Sequence, residues 1–192
     1  MAVAEGNFGR LGEDQQQRYT TGNARIQLDP SVWEMPGAMP EIAPSPDFVA
    51  NIDRPLYDRS MVLQAWGAYG TLWPVVHHQL GVSPDLGRGR LTVVPQVPDG
   101  QTRVAGSNVR LGDGSIDVSA ERSASTLTTT VTRDLRTRLR IGHVLPPDAE
   151  VTAVTLDGAP VAHRERQTAR GRDVVVDAGP GSGTSVLVVS YR

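Results

Sequence analysis

The hydrophobic pattern changes period partway along the chain. Up to about residue 80 the apolar positions recur at helical spacing, and from Leu91 onward they alternate with polar positions, as in strands. Glu13 to Leu28 reads as a helix. Gln15, Tyr19, Gly22 and Ile26 share one face, Glu13 and Asp14 favour the positive end of the helix dipole, and Pro30 forces Asp29 out of helical geometry. The opening Met-Ala-Val-Ala-Glu-Gly-Asn resembles the last turns of a helix, so the chain is expected to be a truncated C-terminal piece. Asp58 to Leu80 reads as a second long helix, apolar on nearly every side and so expected to be buried all round. Pro74 should kink it, and Gly81 should cap it.

In the second half Ile116, Val118 and Ala120 alternate with Ser115, Asp117, Ser119 and Glu121. Leu135, Thr137, Leu139 and Ile141 alternate with Arg136, Arg138 and Arg140, a stripe expected on a solvated strand face. Val174 to Val176 and Val186 to Val189 read as continuous apolar strands. Asp113-Gly114 and Asp157-Gly158 read as hairpin turns. Many short strands at close spacing predict a β-sandwich. The reading is thus α+β, with helices in residues 1–82 and an antiparallel β-sandwich accessory domain in 83–192. Pro84, Gly87 and Gly89 are expected to punctuate a linker between them. The aromatic residues support the same division, since the three tryptophans fall between Trp33 and Trp73 and only Tyr191 follows Trp73.

Composition narrows the chemistry. A net charge of −2 gives no basic field for nucleic acid or anionic lipid. With no cysteine, disulfides, zinc-thiolate centres and thiol nucleophiles are excluded, a composition that fits a cytoplasmic protein. His77 and His78 are adjacent, about 100° apart on a helix, and cannot chelate a metal from one face. They read as a polar pair at a helix end, one of which could donate a hydrogen bond into a pocket. His143 and His163 are isolated in sequence. No metal or other cofactor is expected.

The segment from Trp33 to Pro55 is stiffened by Pro36, Pro40, Pro44, Pro46 and Pro55 and reads as a long loop. It places Glu34 and Glu41 near Trp33. Glycoside hydrolysis needs one carboxyl group as acid and another as base, and a rigid loop suits a group that must hold a water. Trp66, Tyr69 and Trp73 form one stripe on the second helix, which suits either core packing or, at Trp66, a platform for a sugar ring.

Pro40-Glu41-Ile42, followed by Ser60-Met61-Val62-Leu63-Gln64-Ala65-Trp66, resembles the C-terminal end of the glycogen-debranching, amylo-α-1,6-glucosidase-like glycoside hydrolases. The likeness covers about Trp33 to Leu80, with Ile42-Ala43 where that family has Leu-Phe. It implies the closing helices of a six-hairpin (α/α)6 toroid, and an inverting hydrolase of α-glucosidic bonds in glycogen-like or maltooligosaccharide chains. Glu41 would be the general base, and Trp33, Glu34, Gln64 and Trp66 would lie near the substrate. The general acid would come from the upstream remainder of the catalytic domain, so the fragment alone is expected to be inactive. The alternative is a non-catalytic carbohydrate-binding or structural β-sandwich module.

Overall fold

The computed structural model describes residues 1–29, Gly37 and 67–192. The five residues carried over from the resemblance, Trp33, Glu34, Glu41, Gln64 and Trp66, lie outside the described residues, as does most of the proline-rich loop.

Helix α1 spans Ala2–Asn7 and helix α2 spans Arg18–Leu28. A widened turn at Glu13–Gln17 leads into α2, and Gln15 Oε1 caps it by accepting from the Gly12 N–H at 3.2 Å. Helix α2 stops where the sequence requires, with Asp29 extended at φ −81° and ψ 112°. Helix α3 spans Gly67–Trp73 and continues as a widened turn over Pro74–Gln79. Pro74 has no N–H to give, and the ladder loosens to the i→i+5 bond from Leu80 N to Val75 O. Gly81 then turns the chain at φ +66°, against the Val94 carbonyl, where any side chain would collide.

Two expectations fail here. The second helix is not buried all round, because Tyr69, Leu72 and Trp73 are 52%, 54% and 42% exposed. Nor is 83–90 a linker. Strand β1 (Val82–Asp85) follows Gly81 directly and pairs antiparallel with β2 (Arg90–Val93), with Gly87 and Gly89 in the tight turn between them.

The remaining strands are β3 (Arg103–Leu111), β4 (Gly114–Arg122), β5 (Thr126–Val144), β6 (Val151–Leu156), β7 (Ala159–Pro160), β8 (Arg164–Thr168) and β9 (Gly171–Tyr191). The predicted alternation in β4 is observed, with Ile116, Val118 and Ala120 buried. In β5, Leu139 and Ile141 point inward while Arg136, Arg138 and Arg140 are exposed. Asp157-Gly158 forms the β6–β7 turn with both residues at positive φ. The β3–β4 turn sits one residue earlier than expected, at Gly112-Asp113, since Leu111 pairs with Gly114.

The architecture differs from two separate antiparallel sheets of short strands. All nine strands belong to one curled sheet, and β2 pairs parallel with β5. Strands β5 and β9, 19 and 21 residues long, serve both layers. The first part of β5 pairs with β4 and with the end of β9, and its second part pairs with β2 and with the start of β9. The crossing point carries register shifts between Arg133 and Thr137 and between Leu139 and Arg140. It lies opposite Gly179-Pro180-Gly181, which interrupts the apolar pattern and makes one strand read as two. One core fills the curl, drawing Leu91, Leu139 and Val174 from one layer and Ile116, Leu127 and Leu187 from the other. The run Val174–Val176 is apolar throughout because both of its faces are covered. Val174 and Val176 enter the main core, and Val175 packs with Val94 and Val144 on the reverse side.

Candidate functional site

Two neighbouring features occupy the seam between the helices and the sheet. The first is a buried polar network centred on His78, which is 5% exposed. Gln16 Nε2 donates to His78 Nδ1 at 2.8 Å and to Ala2 O at 3.2 Å, and Gln79 Nε2 donates to Gln16 Oε1 at 3.2 Å. With Nδ1 accepting, Nε2 carries the hydrogen and donates to Asn7 Oδ1 at 3.1 Å. Burial first, then the charges of Arg170 and His77, lower the His78 pKa to about 4, so the ring is neutral at ordinary pH. Gly6 lies directly over this cluster, and a Cβ there would run into His78 and Gln16. His77, the other member of the pair, stacks on Trp73 with ring centroids 3.7 Å apart.

Arg170 fastens the network to the sheet. Its guanidinium donates to His78 O at 2.7 Å and to Val94 O at 3.4 Å. Gln96 Nε2 adds a bond to Gly9 O at 2.7 Å, and its backbone N–H donates to Gln79 O at 3.0 Å.

The second feature is a cleft of about 750 Å³ beside this seam, walled by Phe8 and Gly9 from the helical side and by strands β5 and β9 with the segments 96–99 and 145–150. Its volume falls in the range of small-molecule sites. Charges balance across the wall, with Arg122, Arg170 and Arg172 facing Asp99, Asp148 and Glu150. Most are already engaged. Arg122 pairs with Asp99 at 3.4 Å, Glu150 pairs with Arg192 at 2.9 Å, and Arg172 bonds the Ala149 carbonyl and pairs with Glu165 at 3.5 Å.

His143 contributes to this wall although it is only 1% exposed. Its tautomer follows from its partners. Thr129 Oγ1 has one hydrogen and donates it to Gly142 O at 3.0 Å, so the 2.9 Å contact with His143 Nδ1 must run from ring to hydroxyl. Nδ1 therefore carries the hydrogen, and Nε2 is a bare acceptor. Burial, reinforced by Arg122 and Arg170, lowers the pKa to about 3.

Sequence reasoning singled out the His77-His78 pair but gave no role to His143, Gln16, Gln96 or Arg170. His143 has a signal that could have found it: it continues the inward positions Leu139 and Ile141 of β5, which puts an imidazole on a buried face. Gln16, Gln96 and Arg170 have none, because their partners lie far along the chain. Among the described residues no group of His, Asp and Glu could hold a metal ion, and no helix is long and apolar enough to cross a membrane.

No known protein family and no curated protein matches the chain's sequence. Two solved glycoside hydrolases share structural similarity with it. An α-L-rhamnosidase from Dictyoglumus thermophilum is 10% identical with a TM-score of 0.44, over 58% of this chain and 12% of that protein. A GH127 β-L-arabinofuranosidase from Geobacillus stearothermophilus T6 is 13% identical with a TM-score of 0.38, over 66% of this chain and 18% of its own. The chain thus spans under a fifth of the length of either enzyme.

Proposed function

We propose that residues 1–82 close the helical catalytic domain of a glycoside hydrolase and that 83–192 form its accessory β domain. The observation that carries this reading is the ordered pair of motifs in the sequence, Pro40-Glu41-Ile42 and then Ser60 through Gln64-Ala65-Trp66. The described geometry is compatible with it. The helix entered at Gly67, directly after the second motif, runs through Gly81 into β1 without a spacer. Tyr69, Leu72 and Trp73 on that helix are exposed apolar surface of the kind that an upstream helical domain would cover.

In this reading Glu41 deprotonates the water that attacks the anomeric carbon, and Trp33, Glu34, Gln64 and Trp66 border the sugar. An upstream carboxylic acid protonates the leaving oxygen while the water attacks from the opposite face, and this single displacement inverts carbon 1 of an α-glucoside. The test uses the protein in its complete reading frame. Glu41→Gln should lower turnover of maltooligosaccharides by about 10²–10⁴-fold with little change in KM, and proton NMR of the first-formed anomer reads the stereochemistry. Turnover near wild type would remove Glu41 from the mechanism. The cleft favours the second reading, a carbohydrate-binding module without catalysis. Under that reading the Glu41 variant has no hydrolytic phenotype and glycan binding resides in the seam.

A further inference from the structure

The cleft between the helices and the sheet is not part of the proposed catalytic loop, and its wall chemistry is specific. We infer that it is a binding site for a neutral, hydroxyl-rich ligand of the saccharide class, bounded across the seam by Phe8 on one side and by the wall that His143 underlies on the other. The choice of saccharides among polyols rests on the glycosidase reading, whereas the site itself rests on the geometry.

The wall excludes the alternatives in turn. A phosphate or a polyanion needs uncommitted cations. Here Arg170 is spent on the carbonyls of His78 and Val94, and Arg122 is paired with Asp99. An organic cation would need surplus carboxylates, and the wall carries as many arginines as acids. A vicinal diol needs donors and acceptors side by side, because each hydroxyl gives one hydrogen bond and accepts others. The wall's paired guanidinium and carboxylate groups cancel in charge but keep further N–H donors and carboxylate lone pairs, so both kinds of partner are present.

His143 lies under the cleft wall. The relay from Nδ1 to Thr129 Oγ1 to Gly142 O fixes the ring, and burial keeps it neutral, so the base of the cleft carries no charge there. Phe8 supplies the apolar complement. It is 68% exposed at the rim, where its face is open to stacking against a ring.

The 192-residue chain, labelled with ¹⁵N, is titrated with maltotriose, cellotriose, xylotriose and mannotriose, and with trigalacturonate as the charged counterpart. At least one neutral trisaccharide should shift the amides of Val97, Leu145 and Gly171 together with the His143 side-chain Nε2 resonance. Phe8→Ala should weaken that binding by about fivefold. His143→Gln, which stays neutral but loses the relay, should weaken it while the remaining amide spectrum stays folded. The inference is overturned if no neutral trisaccharide moves these signals, if trigalacturonate binds as well as they do, or if Phe8→Ala binds like the parent chain. None of these readouts involves turnover, so failure of the Glu41 mechanism leaves them unaffected.

Discussion

The sheet and the helical segment are held by different forces. The sheet encloses one apolar core in which Val93, Val131, Leu139, Ile141, Val174, Leu187 and Val189 are each 0% exposed. Among the described residues before Leu80, the buried apolar side chains are Ala2, Leu11 and Pro74, and the rest of the interior is Gln16, Thr20, His78 and Gln79. Apolar burial tolerates small displacements, because it depends on area. A network of directed bonds does not, because each member left unpaired costs its full desolvation. The sheet is therefore the self-sufficient part, and the helices depend on it through Arg170 and Gln96.

The contrast is most strongly challenged by Leu139→Ala. This empties a site shared by both layers and should cost about 2–5 kcal/mol in chemical denaturation, in a single transition that includes the helices. Gly6→Ala drives a methyl group into His78 and Gln16 and should cost about 1–3 kcal/mol. Its signature in hydrogen exchange is lost protection over 2–28 with protection in β5 and β9 retained. Equal loss in the sheet would show that the two regions are one unit.

Acid sharpens the comparison further. His78 and His143 have folded pKa values of about 4 and about 3, below the ordinary 6.5, so the unfolded chain binds more protons. Their contribution is complete above pH 6.5 and is lost as pH falls from there toward 4 and 3. Denaturation midpoints should drop between pH 7 and pH 4 by the equivalent of about 3 kcal/mol for each ring. The helices should loosen first, because protonated Nδ1 of His78 can no longer accept from Gln16. His78→Asn should flatten this slope. At the small end, Arg103→Ala removes an exposed pair with Glu121 and should change stability by no more than about 0.5 kcal/mol.

Much of the sheet was legible because its signals are local. Ile116, Val118 and Ala120 declare an inward face by alternation alone, and Asp157-Gly158 supplies the positive φ values that a two-residue hairpin requires. The ends of β5 and β9 were hidden. Thr129 is buried by bonding its hydroxyl to Gly142 O, so an inward position looks polar, and Gly179 to Gly183 reads as a loop although it continues a strand. The parallel pairing of β2 with β5 leaves no trace in either strand. The seam was illegible for the same reason: strands β1 to β8 separate His78 from Arg170 along the chain. The resemblance placed its site in residues that the structure does not describe, and the cleft emerged from contacts instead.

The sharing of β5 and β9 between layers has a kinetic consequence. Their ladder runs from Val144 with Asp173 out to Thr126 with Ser190, so zipping can begin at the near end and proceed toward ever more distant partners. Each later rung closes a larger loop, and β4 can complete its own layer only when the outer rungs are in place. Folding of this chain should thus be slow and ordered, and during synthesis the core would stay open until all of β9, through Tyr191, had emerged from the ribosome.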